Sequence, residues 1–479
     1  MKILQNTALT YDDVLLVPQY SDVDSRRALS TQTKLTKEIT LQIPIVSANM
    51  DVVTESEMAI AMAREGGIGI IHRFLSIDEQ ARQIERVKKA ESFIVENPIS
   101  LSITHTVGDI KKLVDETGSG GILILDEKQK LVGIVTTRDL LFEHDDNKSV
   151  SDLMQKKVVT APPDISLKEA EKLLHHHRIE KLPLVDEAGR VAGLVTLKDI
   201  MKITQYPRAT KDSRGRLMVG AAVGVRDKEM RRVEAALKAG ADCIVVDIAH
   251  GDSHLEIDMI QNIRRQYPKA QIIGGNVATA DGTRRLIDAG VDAVKVGVGP
   301  GSICITRIVA GSGVPQLSAV IECADAARAA GIPVIADGGI RQPGDVAKAI
   351  AAGAQTVMIG SMLAGTDESP GMIMTRKGHR YKASRGMASR EANIDRSRKE
   401  GNDLTQEEID EYVAEGVEAA VPYRGKVREV LTQLVGGLQS GMSYSGAHSL
   451  DEFHQKAIFV RMTGAGLKES GPHDVEVLG

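Results

Sequence analysis

Hydrophobic positions along the 479-residue chain gather in short runs, not in long stripes. Eight runs, at 43–49, 67–72, 217–225, 243–248, 271–276, 293–297, 333–337 and 356–360, are β-rich and end in Gly, Asn, Asp or Ser. Runs of this kind, apolar with little alternation, fit strands buried on both faces, as parallel strands are. Helical patterns follow most of them, notably at 227–239, 280–289, 321–330 and 343–352. Strands alternating with helices predict an α/β fold, and eight predict a closed (β/α)8 TIM barrel. A Rossmann fold is the competitor. Its G-x-G-x-x-G spacing is missing from Gly297-Val298-Gly299-Pro300-Gly301, which also falls sixth and not first.

One segment stands outside this alternation. Residues 123–140, LILDEKQKLVGIVTTRDL, return sixty residues later at 183–200 as PLVDEAGRVAGLVTLKDI. Each copy reads as strand, acidic turn, strand and then Thr-x-x-Asp opening a helix. Thr136 with Asp139, and Thr196 with Asp199, are placed to cap free N–H groups at a helix start. As a pair the copies resemble a tandem CBS, or Bateman, module. That resemblance implies regulatory nucleotide sites for ATP or GTP, with Asp139 and Asp199 holding ribose hydroxyls. The expected organisation is a barrel in two parts, 1–92 and 204–479, around an inserted α+β module at 93–203.

In such a barrel the chemistry lies where strands end. Those ends carry Asn49, His72, Asp247, Asn276, residues 299–304, Asp337-Gly338-Gly339 and Gly360-Ser361. The seventh and eighth are glycine-rich, which suits phosphate held by backbone N–H groups. Asp337 beside two glycines suits ribose hydroxyls. Composition narrows the rest. A net charge of −5 gives no reason to expect bulk nucleic-acid or anionic-membrane binding. The N-terminal residues do not read as a signal peptide and no apolar run is long enough to span a bilayer, so a soluble, cytoplasmic protein is expected. Trp is absent and aromatics are 3%, leaving the core to aliphatic residues and Met.

Three cysteines are too few for a disulfide scaffold. Cys243 and Cys323 sit in strand and helix patterns and read as core thiols. Cys304 lies in the polar, glycine-rich loop GVGPGSICITR, with Arg307 three residues on, where positive charge would favour thiolate.

The stretches VKVGVGPGSICITR, IADGGIR, IGSMLAGTDESPG, RGMAS and SANMDVVTES together resemble the IMP dehydrogenase/GMP reductase family. The resemblance implies that Cys304 attacks purine C2 to form a covalent adduct. It implies that Ser302, Gly339, Gly360 and Ser361 bind the 5′-phosphate, Asp337 the ribose, and Met387 and Ala388 the base. Asp247, Asn276 and Thr306 would face the nicotinamide cofactor or assist the chemistry. Carbonyls of Gly299, Gly301 and Cys304, with Glu469, Ser470 and Gly471 of a neighbouring subunit, match the family's potassium site. A homotetramer is implied, or an octamer where the CBS module is present.

Two reactions share that adduct. A dehydrogenase oxidises IMP to XMP with NAD and must hydrolyse the adduct, which needs an activated water. A reductase converts GMP and NADPH to IMP, ammonia and NADP. Dehydrogenases resembling this chain place an Arg-Tyr pair in a mobile flap, here about 376–420, where the sequence reads Arg396-Ser397. Glu415 matches the Glu that works with the Thr two residues after the cysteine, and QLSAVIECADAA is more similar to reductases. MDVVTESEMAIAMAREGGIGIIH and VDIAHGDS look like the dehydrogenase branch. The missing Tyr bears on the distinguishing step, so GMP reductase is the leading expectation and IMP dehydrogenase the alternative. A third reading, an inactive nucleotide sensor, is opposed by the intact Cys304, Thr306 and Glu415. His175-His176-His177 diverge around a helix and do not suggest a metal. Nine Lys/Arg between 376 and 399, followed by eight Asp/Glu between 400 and 418, read as a polar lid and not as a nucleic-acid patch.

Overall fold

The computed structural model describes residues 3–5, 7–91, 94–204, 206–399 and 404–472. Two compact units emerge: Met1–Lys88 with Arg208–Thr210 and Met218–Gly479, and Lys89–Pro207 with Lys211–Leu217.

In the first unit, all eight expected strands form: β1 Ile45–Ser47, β2 Ile68–Ile71, β3 Gly220–Val223, β4 Cys243–Asp247, β5 Gln271–Val277, β6 Ala293–Val296, β7 Val334–Asp337 and β8 Thr356–Ile359. Each pairs in parallel with its neighbours in the chain, and β8 returns to β1 to close the barrel. Val46, Ile68, Ile70, Ala222, Cys243, Val245, Ile273, Ala293, Ile335 and Met358 fill the interior. Each such aliphatic side chain contributes roughly 1.5–3 kcal/mol by leaving water. Burial pushes the Cys243 thiol up, as a core thiol requires.

Local signals set the helix ends. Ala280–Ala289 starts at Thr279, whose hydroxyl accepts the Gly282 N–H at 3.1 Å, and stops at Gly290 with φ 104°. The helix expected at 321–330 instead runs Gln316–Arg328. Pro315 sets its start, and Gln316 and Leu317 already belong to its buried face.

In the second unit, two hairpins carry the repeat. Gly121–Leu125 pairs with Leu131–Thr136, and Lys181–Val185 with Val191–Thr196. The registers coincide: Gly121↔Thr136 and Leu123↔Ile134 in one, Lys181↔Thr196 and Pro183↔Leu194 in the other. Each hairpin has its own apolar cluster, and Leu123, Ile134 and Leu194 form a seam joining the copies.

Candidate active site

The C-terminal ends of the barrel strands open into two adjoining cavities. One, of about 540 Å³, is lined by Ser302, Asp337, Gly338, Gly339, Gly360 and Ser361. The other, of about 330 Å³, is lined by Cys304, Thr306, Asp247, Asn276, Met387 and Ala388, with Asp337 and Gly301 common to both. The expected phosphate, ribose, base and cofactor residues thus fall on one rim. Gly338 and Gly339 take φ of 93° and 82° there, and a Cβ on Gly338 would come within 2.8 Å of Pro300.

Cys304 is half-buried, two residues before the short helix Thr306–Val309. Its Sγ lies 3.2 Å from Thr306 Oγ1, which donates to Glu415 Oε2 at 2.7 Å. Glu415 reaches this place because its segment pairs with the cysteine loop: Ile305 N–H donates to the Glu415 carbonyl and Val417 N–H to that of Ile303. The Glu415 N–H in turn donates to the Ala388 carbonyl at 3.1 Å, tying the base-facing loop to the same group.

Arg307 does not serve the sulfur as its sequence position suggested. Its Nε donates to the Val298 carbonyl at 3.2 Å and its Nη2 to that of Val314 at 2.6 Å, so the guanidinium braces the loop backbone. The hydroxyl of Thr306 is what touches the thiol.

A lysine that the sequence reading passed over organises the other wall. Lys295, 2% exposed on β6, sends Nζ to Asp247 Oδ1 at 2.6 Å and Asp337 Oδ2 at 3.0 Å, and also to Asn276 Oδ1. Burial pushes the Asp247 carboxyl up, but the charge and hydrogen bond of Lys295 more than offset this and hold it below the usual range. For Lys295 itself, burial acts downward and the two carboxylates overcome it, so the ammonium stays charged. Asn276 is the extra residue of a bulge between Gly275 and Val277, which turns its amide toward Asp337 Oδ2, 3.0 Å away. The signal was a charged residue inside the apolar run AVKV.

The stretch read as a flap contains the strand His379–Arg385, the helices Arg390–Lys399 and Gln406–Glu411, and the strand Glu418–Pro422; residues 400–403 lie outside the described residues. Arg385 fastens it, bonding Asp51 Oδ2 through Nε at 2.9 Å and Asp395 Oδ2 through Nη1 at 2.7 Å. Arg396 and Tyr412 both line the cavity of Cys304, and the Tyr412 hydroxyl donates to the Ala388 carbonyl at 3.3 Å. Tyr412 was not foreseen, because it lies fifteen residues beyond Ser397.

Away from this rim, Asp139 Oδ2 accepts from Thr136 Oγ1 at 2.6 Å, and Asp199 Oδ2 from Thr196 Oγ1 at 2.6 Å, so both pairs are cap interactions. Thr136 also lines a cavity of about 250 Å³ and Thr196 one of about 930 Å³. Glu469, Ser470 and Gly471 stand exposed or half-exposed at the end of the helix Gly464–Glu469. Among the described residues, no three His, Cys, Asp or Glu converge as metal ligands, and no helix is long and apolar enough to cross a membrane.

The closed parallel eight-stranded barrel is a (β/α)8 barrel, and the family and relatives that the chain matches make it an oxidoreductase. The chain belongs to the IMP dehydrogenase/GMP reductase family: the model of the "IMP dehydrogenase / GMP reductase domain" matches residues 8–473. It is 55% identical to an inosine-5′-monophosphate dehydrogenase of Nitrosopumilus maritimus, over 98% of each chain. It is 48% identical to a GMP reductase of Leishmania donovani, over 98% of this chain and 97% of that one. The crystal structure of a cysteine-to-alanine variant of GMP reductase from Trypanosoma brucei in complex with guanosine 5′-monophosphate is similar at a TM-score of 0.85, with 48% identity and 98% coverage of both chains. The family uses NAD(P)(H) and acts on GMP or IMP.

Proposed function

We propose that this protein is a GMP reductase, converting GMP and NADPH to IMP, ammonia and NADP. The observation that carries the reading is the line Cys304 Sγ, Thr306 Oγ1, Glu415 Oε2, with links of 3.2 and 2.7 Å. Because the Thr306 hydroxyl donates to Glu415, its lone pairs face the thiol. A proton leaving Cys304 passes to Thr306 while Thr306 passes its own to Glu415. The sulfur then bonds to purine C2, and Glu415 returns the proton through Thr306 to the 2-amino group, which departs as ammonia. Bound in this cavity, NADPH would supply a hydride to C2; the Cys304 sulfur would leave as thiolate and take a proton from water, leaving IMP and the resting thiol. Ser302, Gly339, Gly360 and Ser361 hold the 5′-phosphate, Asp337 the ribose, and Met387 and Ala388 the base. Asp247 and Asn276, held by Lys295 on the cavity wall, would offer a carboxylate and an amide to the hydroxyl and carboxamide groups of the cofactor.

The flap supports the same reading, since Ser397 follows Arg396 where water activation would need a phenol. A second reading, IMP dehydrogenase, is favoured by the relatives so named and by Tyr412, which enters the cavity beside Arg396 from another position. Absorbance at 340 nm separates the two. GMP with NADPH should lose absorbance, and IMP with NAD should gain little. XMP formation at about 1 s⁻¹ or faster without GMP reduction would make it a dehydrogenase.

The reading extends to the repeated unit as a tandem CBS module binding ATP or GTP, consistent with its two cavities. It also extends to a potassium ion on the carbonyls of Gly299, Gly301 and Cys304 with Glu469, Ser470 and Gly471 of a neighbouring subunit. Carbonyl oxygens suit such a hard cation. The assembly would then be a tetramer or octamer.

A further inference from the structure

The helix Arg390–Lys399 buries one residue, Ala392. A single alanine removes little apolar surface from water, so the helix is held mainly by the tips of its polar side chains. One of these is Asp395, whose Oδ2 accepts from Arg385 Nη1 at 2.7 Å. Arg385 also holds a second carboxylate: Nε donates to Asp51 Oδ2 at 2.9 Å, and Nη2 to the same oxygen at 2.5 Å. The two carboxylates differ in what they need. Asp51, 5% exposed, requires a cation beside it to remain charged, whereas Asp395, 42% exposed, does not. The bond to Asp395 is therefore surplus to the burial of the Asp51–Arg385 pair, and what it adds is a tie to the helix.

The other end of that tie is the wall of the cavity. Arg385 directly precedes Gly386-Met387-Ala388, and the Asp51 N–H donates to Met387 Sδ at 3.4 Å. Met50, Met387 and Ala388 all line the cavity of Cys304. One guanidinium thus joins two neighbouring loops of that wall to the helix. We infer that Asp395 is a positioning residue, which couples occupation of the base site to docking of the helix Arg390–Lys399 through Arg385. The inference rests on the reading that Met387 and Ala388 take the purine. Such coupling is reciprocal: nucleotide steadies the helix, and the docked helix tightens the hold on nucleotide.

The test is hydrogen exchange of the full-length protein with and without saturating GMP, read by mass spectrometry on peptides covering 386–389 and 390–399. Calorimetry gives the affinity for GMP. Variants are Asp395→Asn and the charge-keeping Asp395→Glu, each checked for native circular dichroism. In wild type, GMP should slow exchange in both peptides. In Asp395→Asn the helix should lose that protection while 386–389 keeps it, and GMP should bind about 3–5-fold more weakly, the size expected of a half-exposed ion pair. Asp395→Glu should recover part of both effects, and 1 M NaCl should narrow the gap between wild type and Asp395→Asn. Equal protection of the helix in wild type and Asp395→Asn, or protection of 386–389 alone in wild type, overturns the inference. No protection of 386–389 by GMP would overturn the base-site reading along with it. Wild-type protein that shows the coupling but does not reduce GMP would overturn the proposed reaction and leave the coupling standing.

Discussion

Thr306 donates its hydroxyl to Glu415 at 2.7 Å across 109 residues of chain. The contact joins the cysteine loop to the segment that closes over it, so proton transfer depends on that segment being in place. Glu415→Gln keeps an oxygen to accept from Thr306 but cannot take up a proton. GMP turnover should fall about 10²–10⁴-fold, with KM for GMP changing little. A kcat within fivefold of wild type would remove Glu415 from the proton path.

The three thiols should react unequally. Burial pushes Cys323 up to about 11 and raises Cys243 as well, and both are fully buried. Iodoacetamide at pH 8 should therefore modify Cys304 alone in the folded protein, and GMP should protect it. Peptide mapping that finds label on Cys243 or Cys323 before unfolding would contradict this. Cys304→Ser should fold normally and lose turnover, since serine is a far weaker nucleophile at neutral pH.

Lys295→Met removes the cation that keeps Asp247 and Asp337 together. With those side chains 26% and 23% exposed, solvent screens part of the loss, which places the cost at the low end for a broken buried pair, roughly 3 kcal/mol. Calorimetry of the barrel transition should show it as a lower Tm. A cost below about 1 kcal/mol would mean the two carboxylates separate without strain.

Glu256 gives a pH test. Its carboxyl is fully buried, accepts from the Gly275 N–H at 2.9 Å through Oε1, and is pushed well above its ordinary 4.5, first by burial and further by Asp247. The folded protein therefore keeps a proton that the unfolded chain releases above about 4.5. Stability from this group is present below that value and is lost as pH rises toward the folded pKa, with a slope approaching about 1.4 kcal/mol per pH unit. Glu256→Gln keeps the oxygen acceptor and removes the titration. The variant should gain on wild type between pH 5 and pH 8; parallel stability curves would show that Glu256 titrates normally.

The barrel was legible because parallel strands buried on both faces leave continuous apolar runs; seven of the eight strands fall inside the runs that predicted them, and Gln271–Val277 passes the end of its run by one residue. The glycine pair Gly338-Gly339 at the seventh strand end, Gly360 at the eighth, and the cysteine loop marked the rim for the same local reason. What local pattern does not carry is pairing across sequence. Nothing near Arg307 told that its guanidinium would turn to the carbonyls of Val298 and Val314, leaving Thr306 beside the sulfur. Lys295 was hidden by its apolar neighbours, because a period-two reading sees a strand and not an inward-facing ammonium. Tyr412 enters the cavity through the fold of the intervening chain, which no spacing rule reports.

The two hairpins of the second unit share one register, but not one chemistry at its first rung. Where one copy has Gly120 and Gly121, the other has Glu180 and Lys181, and the Lys181 stem lies where a Cβ on Gly121 would come within 2.3 Å of its Cε. The two cavities that Thr136 and Thr196 line share Gly120, Glu180 and Lys181. The duplicated frame thus carries a charged pair, Glu180 and Lys181, where the sister copy has two glycines. A substitution at Lys181 therefore alters the lining of both cavities at once, and any side chain larger than hydrogen at Gly121 would displace the Lys181 stem from that shared position.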